Sequence, residues 1–134
     1  MKSYHFLIAV MFMAFSASTS FGADWKLIGK SATGSTYYVD TSTIRCNFGM
    51  ISAWIKELYD KPRHVNNGDV VKAIYDRETL INTKNWHIAV GAKYSQTGEE
   101  IEKITDFSSK PSTPDTVEEA ITNFLIDYCK KKKK

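Results

Sequence analysis

The clearest pattern in the chain is an alternation. From Trp86 to Tyr94, residues Trp86, Ile88, Val90, Ala92 and Tyr94 alternate with His87, Ala89, Gly91 and Lys93, the period of two that marks a half-buried strand. The first set is expected to face the core. Shorter apolar segments precede it at Trp25 to Ile28, Thr36 to Asp40, Gly49 to Tyr59 and Asp69 to Leu80, each bounded by small or turn-forming residues. In the third of these, Ile51, Ala53 and Ile55 alternate with Ser52, Trp54 and Lys56, so Trp54 belongs on the face opposite the isoleucines. Pro62 is expected to end that strand, and residues 61–69, with Pro62, Asn66, Asn67 and Gly68, read as an exposed loop. After the turn signal Gln96-Thr97-Gly98, Glu99 to Phe107 returns as a polar edge strand, whose charges discourage sheet-to-sheet aggregation.

The period then changes. Val117, Ala120, Ile121, Phe124, Leu125 and Tyr128 recur at steps of three and four, the stripe of an amphipathic helix. Thr113 is placed to cap it, Pro114 suits its first position, and Asp115, Glu118 and Glu119 put negative charge near the positive end of its dipole. Strands followed by one terminal helix give an α+β domain, an antiparallel sheet of about six strands with the helix packed on one face.

The start of the chain follows neither pattern. Met1 and Lys2 precede an uncharged apolar run from Phe6 to Phe15, and Ser16 to Gly22 is small and polar apart from Phe21. Ten residues are about half of what crosses a bilayer, so 1–22 reads as a cleaved signal peptide, with Ala23 as the first mature residue. No cysteine follows the run, which argues against a lipid-anchored N-terminus. The expected product is exported and soluble, with no membrane span after cleavage. The remaining 112 residues suffice for one core.

Export gives the two cysteines their meaning. Cys46 and Cys129 are the only ones, and an even count in an exported chain reads as one disulfide. It would tie the terminal helix to the body. The formal net charge is +3, but Lys2 and Lys130 to Lys134 supply six positive charges, which leaves the segment from Ala23 to Cys129 at −3. The basic character therefore resides in a lysine tail, 130–134, and the folded body does not read as a nucleic-acid binder. Lys130, Lys131, Lys132, Lys133 and Lys134 are candidates for contact with an anionic surface; the competing reading is a solubilising end.

Catalytic chemistry finds little support. His5 leaves with the signal peptide, and His64 and His87 are too few and too far apart for a zinc site. No serine sits in a glycine-flanked elbow with a histidine partner. The carboxylate pairs Glu99 and Glu100, and Glu118 and Glu119, fall on surface positions. No metal, cofactor or catalytic residue is expected. Trp54 is the aromatic most open to a binding role, because an exposed tryptophan on the uncovered face would mark a partner surface.

Tyr37-Tyr38-Val39-Asp40 followed by Ile44, then Thr113-Pro114-Asp115-Thr116 opening a terminal helix that carries Cys129, resembles the surface-adhesin protein E family of Gram-negative bacteria. The resemblance implies a curved antiparallel sheet of about six strands with a disulfide-tethered C-terminal helix on its concave face. It also implies binding to host matrix and serum proteins, homodimer formation, and a location in the periplasm or at the outer surface of a Gram-negative cell. One departure stands out: in the family the sheet cysteine lies on a later, central strand, whereas Cys46 falls in the turn before the third expected strand. The sequence thus points to a non-catalytic binding module for host or envelope macromolecules, with a periplasmic or envelope structural protein as the alternative.

Overall fold

The computed structural model describes residues 22–133. The signal-peptide expectation, except for Gly22, and Lys134 lie outside the described residues. Among the described residues, seven antiparallel strands and one α-helix follow one another: β1 (Trp25–Lys30), β2 (Thr36–Asp40), a 3-10 turn (Thr41–Thr43), β3 (Arg45–Asn47), β4 (Met50–Val65), β5 (Gly68–Leu80), β6 (Trp86–Tyr94), β7 (Glu100–Lys103) and α1 (Val117–Lys132). They form one open sheet in the order β1-β2-β4-β5-β6-β7, with β3 also paired to β4. β2 pairs with residues 55–58 of β4 and β3 with residues 50–52, so both lie along one edge of the same long strand. The turn between them is fixed by Asp40, whose carboxylate accepts from Ser42 N and Ser42 Oγ.

Two expectations are corrected by bulges. Pro62 does not end its strand: β4 runs to Val65, and residues 61–69 form the tip of a hairpin closed by Asn66-Asn67 between the paired Val65 and Gly68. Between Leu58 and Arg63, β4 advances five positions while β5 advances two, from Lys72 to Val70. The proline sits inside that irregularity, and β2 has already ended against Leu58, so no ladder needs its missing N–H.

The second bulge breaks the alternation of β6. Val90 pairs with Asp76 and Ile88 with Arg77, so Ala89 is the extra residue and the strand changes face there. Trp86 and Ile88 point toward the helix and are buried, whereas Val90, Ala92 and Tyr94 share the other face with Asp76, Ile74 and Lys72. Val90 is 53% exposed. Gly91 sits just past the bulge, where an added Cβ would lie 2.5 Å from Tyr75 Cβ and 3.0 Å from Ile74 O.

The helix begins later and ends later than its pattern suggests. Asp115 adopts a positive φ of 60°, which a helix interior excludes, and Thr116 is the cap, accepting from Glu119 N. Thr113 and Pro114 precede it. The last turn contains Lys130 to Lys132, cations that suit the negative end of the dipole. Val117, Ile121 and Leu125 are buried as the stripe requires, together with Thr122, Ile126 and Cys129, while Ala120 is exposed. The helix covers one sheet face over a core that includes Tyr37, Val39, Ile51, Ile55, Ala73, Tyr75 and Ile88. Cys46 pairs with Ile51, whose side chain is fully buried on this face, and this register aims the cysteine at the helix. The Cys46–Cys129 disulfide joins Cα atoms 5.7 Å apart. The expectation that Cys46 falls in a turn is corrected: it lies on short β3, paired to Ile51 of β4.

Candidate binding surface

The helix-free face is built from every second residue of the central strands. Ser52, Trp54 and Lys56 of β4 stand opposite Glu78, Asp76 and Ile74 of β5, and His87, Val90 and Ala92 of β6 continue the rows. Half-buried Trp54 therefore lies on the uncovered face. It lines a shallow depression of about 180 Å³ with Ile74, Val90, Ala92, Tyr94 and Lys103. Charges frame it. His87 Nε2 lies 2.8 Å from Glu78 Oε2, and Lys72 stands over the Tyr94 ring. Lys56 stands 4.6 Å from the Trp25 ring centroid and 4.8 Å from that of Tyr38; its pKa is lowered, first by burial and then by Lys72. Burial raises the pKa of Asp76 against the opposing pull of Arg45. An apolar centre with a charged rim is the anatomy of a protein-binding patch.

The covered face holds a charge that the sequence reading missed. Arg77 is fully buried. Its Nη2 donates to Glu118 O at 3.1 Å and Thr122 Oγ1 at 2.6 Å, its Nε donates to Thr79 Oγ1, and its guanidinium lies 4.5 Å from the Trp86 ring centroid. Among the described residues, no carboxylate bonds to it and its Nη1 has no partner. Burial drives its pKa down to about 10. Tyr37 and Tyr75 face the same interior, and burial, then the Glu57 carboxylate, raises both well above the tyrosine range; Tyr37 Oη donates to Glu57 Oε1 at 2.9 Å. The signal was present in the sequence, since Ala73, Tyr75, Arg77 and Thr79 share one alternating face. Arg77 pins the first half of α1 to the sheet, as the disulfide pins its end.

The lysines are split by the fold. Lys130, Lys131 and Lys132 belong to the helix and Lys133 caps it. Lys131 reaches an open groove of about 630 Å³ between the start of β1 and the end of α1, lined also by Asp24, Lys26, Phe124, Asp127 and Tyr128. Sequence reasoning had no means of joining residues a hundred positions apart. His64 stands beside Asp69 at the hairpin tip, far along the chain from the His87 strand. Among the described residues, no cluster of three or more His, Cys, Asp or Glu could hold a metal ion, and no helix is long and apolar enough to cross a membrane.

The chain matches the family model of surface-adhesin protein E over residues 25–130. Three structures of Haemophilus influenzae protein E have a similar fold. One is 14% identical with a TM-score of 0.63, covering 84% of this chain and 91% of that one. Its selenomethionine form is 13% identical with a TM-score of 0.62, covering 81% and 90%, and a second crystal form is 13% identical at 0.62, covering 81% and 94%. At this identity the likeness shows the fold. No curated protein sequence matches the chain.

Proposed function

Because the chain belongs to the surface-adhesin protein E family, we propose that it is exported through a signal peptide ending at Gly22. We further propose that it acts at the cell surface as a non-catalytic binding module for a host macromolecule. The observation that carries this reading is the depression around Trp54 on the helix-free face, where Val90 is 53% exposed beside it. An aromatic anchor in a shallow depression ringed by charge, which a partner desolvates on docking, is the arrangement that concentrates binding energy in protein interfaces. The scaffold behind it is rigid, since the helix, the disulfide and Arg77 fix the opposite face.

Antibody labelling of intact cells tests location: labelling without permeabilisation is expected. Labelling only after permeabilisation would instead favour an envelope structural or assembly protein in the periplasm. The site is tested by binding of the purified protein to immobilised extracellular matrix. Trp54→Ala should weaken that binding about tenfold or more while the fold, read by circular dichroism, is kept. Unaltered binding in Trp54→Ala and Val90→Lys together would move the site off this face.

A further inference from the structure

The groove between β1 and the end of α1 lies off the Trp54 face, and its chemistry is different. Phe124 and Tyr128, one helical turn apart, have ring centroids 6.2 Å apart with planes inclined by 39°, and both are half-buried. They form one wall. Lys26 from β1 stands 5.0 Å from the Phe124 centroid, Lys132 stands 5.6 Å from that of Tyr128, and Lys131 lines the groove itself. Two carboxylates, Asp24 and Asp127, line it as well. None of the ion pairs among the described residues uses Lys26, Lys131 or Asp127, so these three charges face a ligand, whereas Asp24 Oδ2 already accepts from Thr41 Oγ1 at 2.8 Å.

We propose that this groove binds a sulfated glycosaminoglycan chain. A pyranose ring has an apolar C–H face that packs on aromatic rings, hydroxyls that donate to carboxylates, and, when sulfated, anionic groups for lysine. The groove supplies all three together. Mixed charge in the lining suits an occupant that carries hydroxyls and anionic groups on one ring: Asp127 accepts from the hydroxyls, and Lys26 and Lys131 meet the sulfates. Beyond the groove, Lys130, Lys132 and Lys133 surround the helix end with positive charge, which favours a polymer with repeated sulfates over a single anion. The Trp54 face plays no part, so the two sites stand or fall separately.

The test is binding of a heparan sulfate dodecasaccharide to the purified protein at several salt concentrations. The double variant Lys26→Gln, Lys131→Gln should lose about tenfold or more in affinity and show a weaker salt dependence, since exposed charges are screened within about 8 Å at physiological ionic strength. A charge-matched control outside both sites, exposed Lys61→Gln with Lys84→Gln, should lose less than about twofold. Tyr128→Leu keeps an apolar side chain on the helix and should lower affinity about threefold to tenfold with the salt slope unaltered, as expected for a stacking contact. Equal losses in the two double variants would reduce the effect to bulk charge and overturn the site. So would binding to phosphatidylglycerol vesicles but not to the dodecasaccharide, or a Tyr128→Leu variant that binds like the parent.

Discussion

The two faces of this sheet are made by the same strands and obey opposite rules. On the helix side, Val39, Ile51 and Ile55 are fully buried, and a buried cation, Arg77, is held by helix and strand oxygens. On the other side, alternate residues of the same strands leave Val90 exposed, Trp54 half-buried and a Glu78–His87 pair partly open to water. The first face defines the fold and tolerates little; the second is free to vary with a ligand. The contrast teaches that a one-sided sheet separates stability from recognition by strand alternation alone. A single inserted residue, Ala89, decides which role its neighbours take.

The sharpest test of that division uses one substitution at two positions two residues apart. Ile88 is 9% exposed and faces the helix. Ile88→Lys buries an unpaired ammonium in the core, a change of about 4 kcal/mol or more, and the domain should be unfolded at 37 °C by circular dichroism. A cooperative melt within a few degrees of the parent would place Ile88 at the surface and dissolve the distinction.

The disulfide comes next in size. Cys46 and Cys129 are 83 residues apart in sequence, and closing such a loop restricts the unfolded chain by about 4 to 5 kcal/mol in the chain-entropy model. Cys46→Ser with Cys129→Ser should lower stability by that order in a urea titration, with the helix end loosening first in hydrogen exchange. Uniform exchange along the helix would mean that Arg77 and the apolar stripe hold it without the tether.

How much of this was legible in the sequence follows from the same distinction. Local sequence pattern identified the helix and six of the seven strands, and it placed Trp54 and His87 on the outer face. It failed where geometry depends on a neighbour. The bulge at Ala89 is specified by pairing to β5, and the tolerance of Pro62 follows from β2 ending at Leu58. The helix start moved to Thr116 because Asp115 takes a positive φ. Short β3 has no periodicity of its own and exists only as a partner to β4. The groove of Lys26 and Lys131 joins the two ends of the domain, a juxtaposition that no window along the chain contains.

Alkaline pH should weaken the covered face selectively. Tyr37 and Tyr75 are raised above the ordinary tyrosine value by burial, and Tyr59 is pushed up to about 12 by the same cause. For an acid raised in the folded state, the stabilising contribution is complete below the unfolded value of about 10 and is lost as pH rises through the folded value. Arg77, brought down to about 10, works the other way, since its buried charge is relieved as pH rises. Three tyrosines outweigh one arginine, so melting temperature should fall steadily above about pH 10, less steeply in Tyr37→Phe. A flat profile to pH 12 would mean that these phenols are solvated.

Arg77 itself offers a smaller and less obvious effect. A buried charge without a carboxylate partner is a weak source of stability, and an apolar side chain of similar shape often does as well or better. Thr122 Oγ1 keeps Ser112 as a partner at 2.7 Å if the guanidinium is removed. Arg77→Met should therefore raise stability by about 1 kcal/mol in chemical denaturation. A loss above about 3 kcal/mol, the cost typical of stranding one half of a buried pair, would show that the cation is compensated after all.

The smallest effect completes the comparison. Val90→Lys makes the same change as Ile88→Lys, but on the open face, opposite the Asp76 carboxylate. An exposed cation across from an anion adds a cross-strand pair worth about 0.2 to 1 kcal/mol, set against the loss of a half-exposed apolar side chain. The net change in stability should fall within about 0.5 kcal/mol of zero, measured in the same titration as Ile88→Lys. The lysine would also place a charge in the Trp54 depression, so binding to immobilised matrix should drop while the melt stays in place. If Val90→Lys instead unfolds the domain, Val90 is a core residue, the bulge at Ala89 does not exist in solution, and the strand presents one uninterrupted face to the helix.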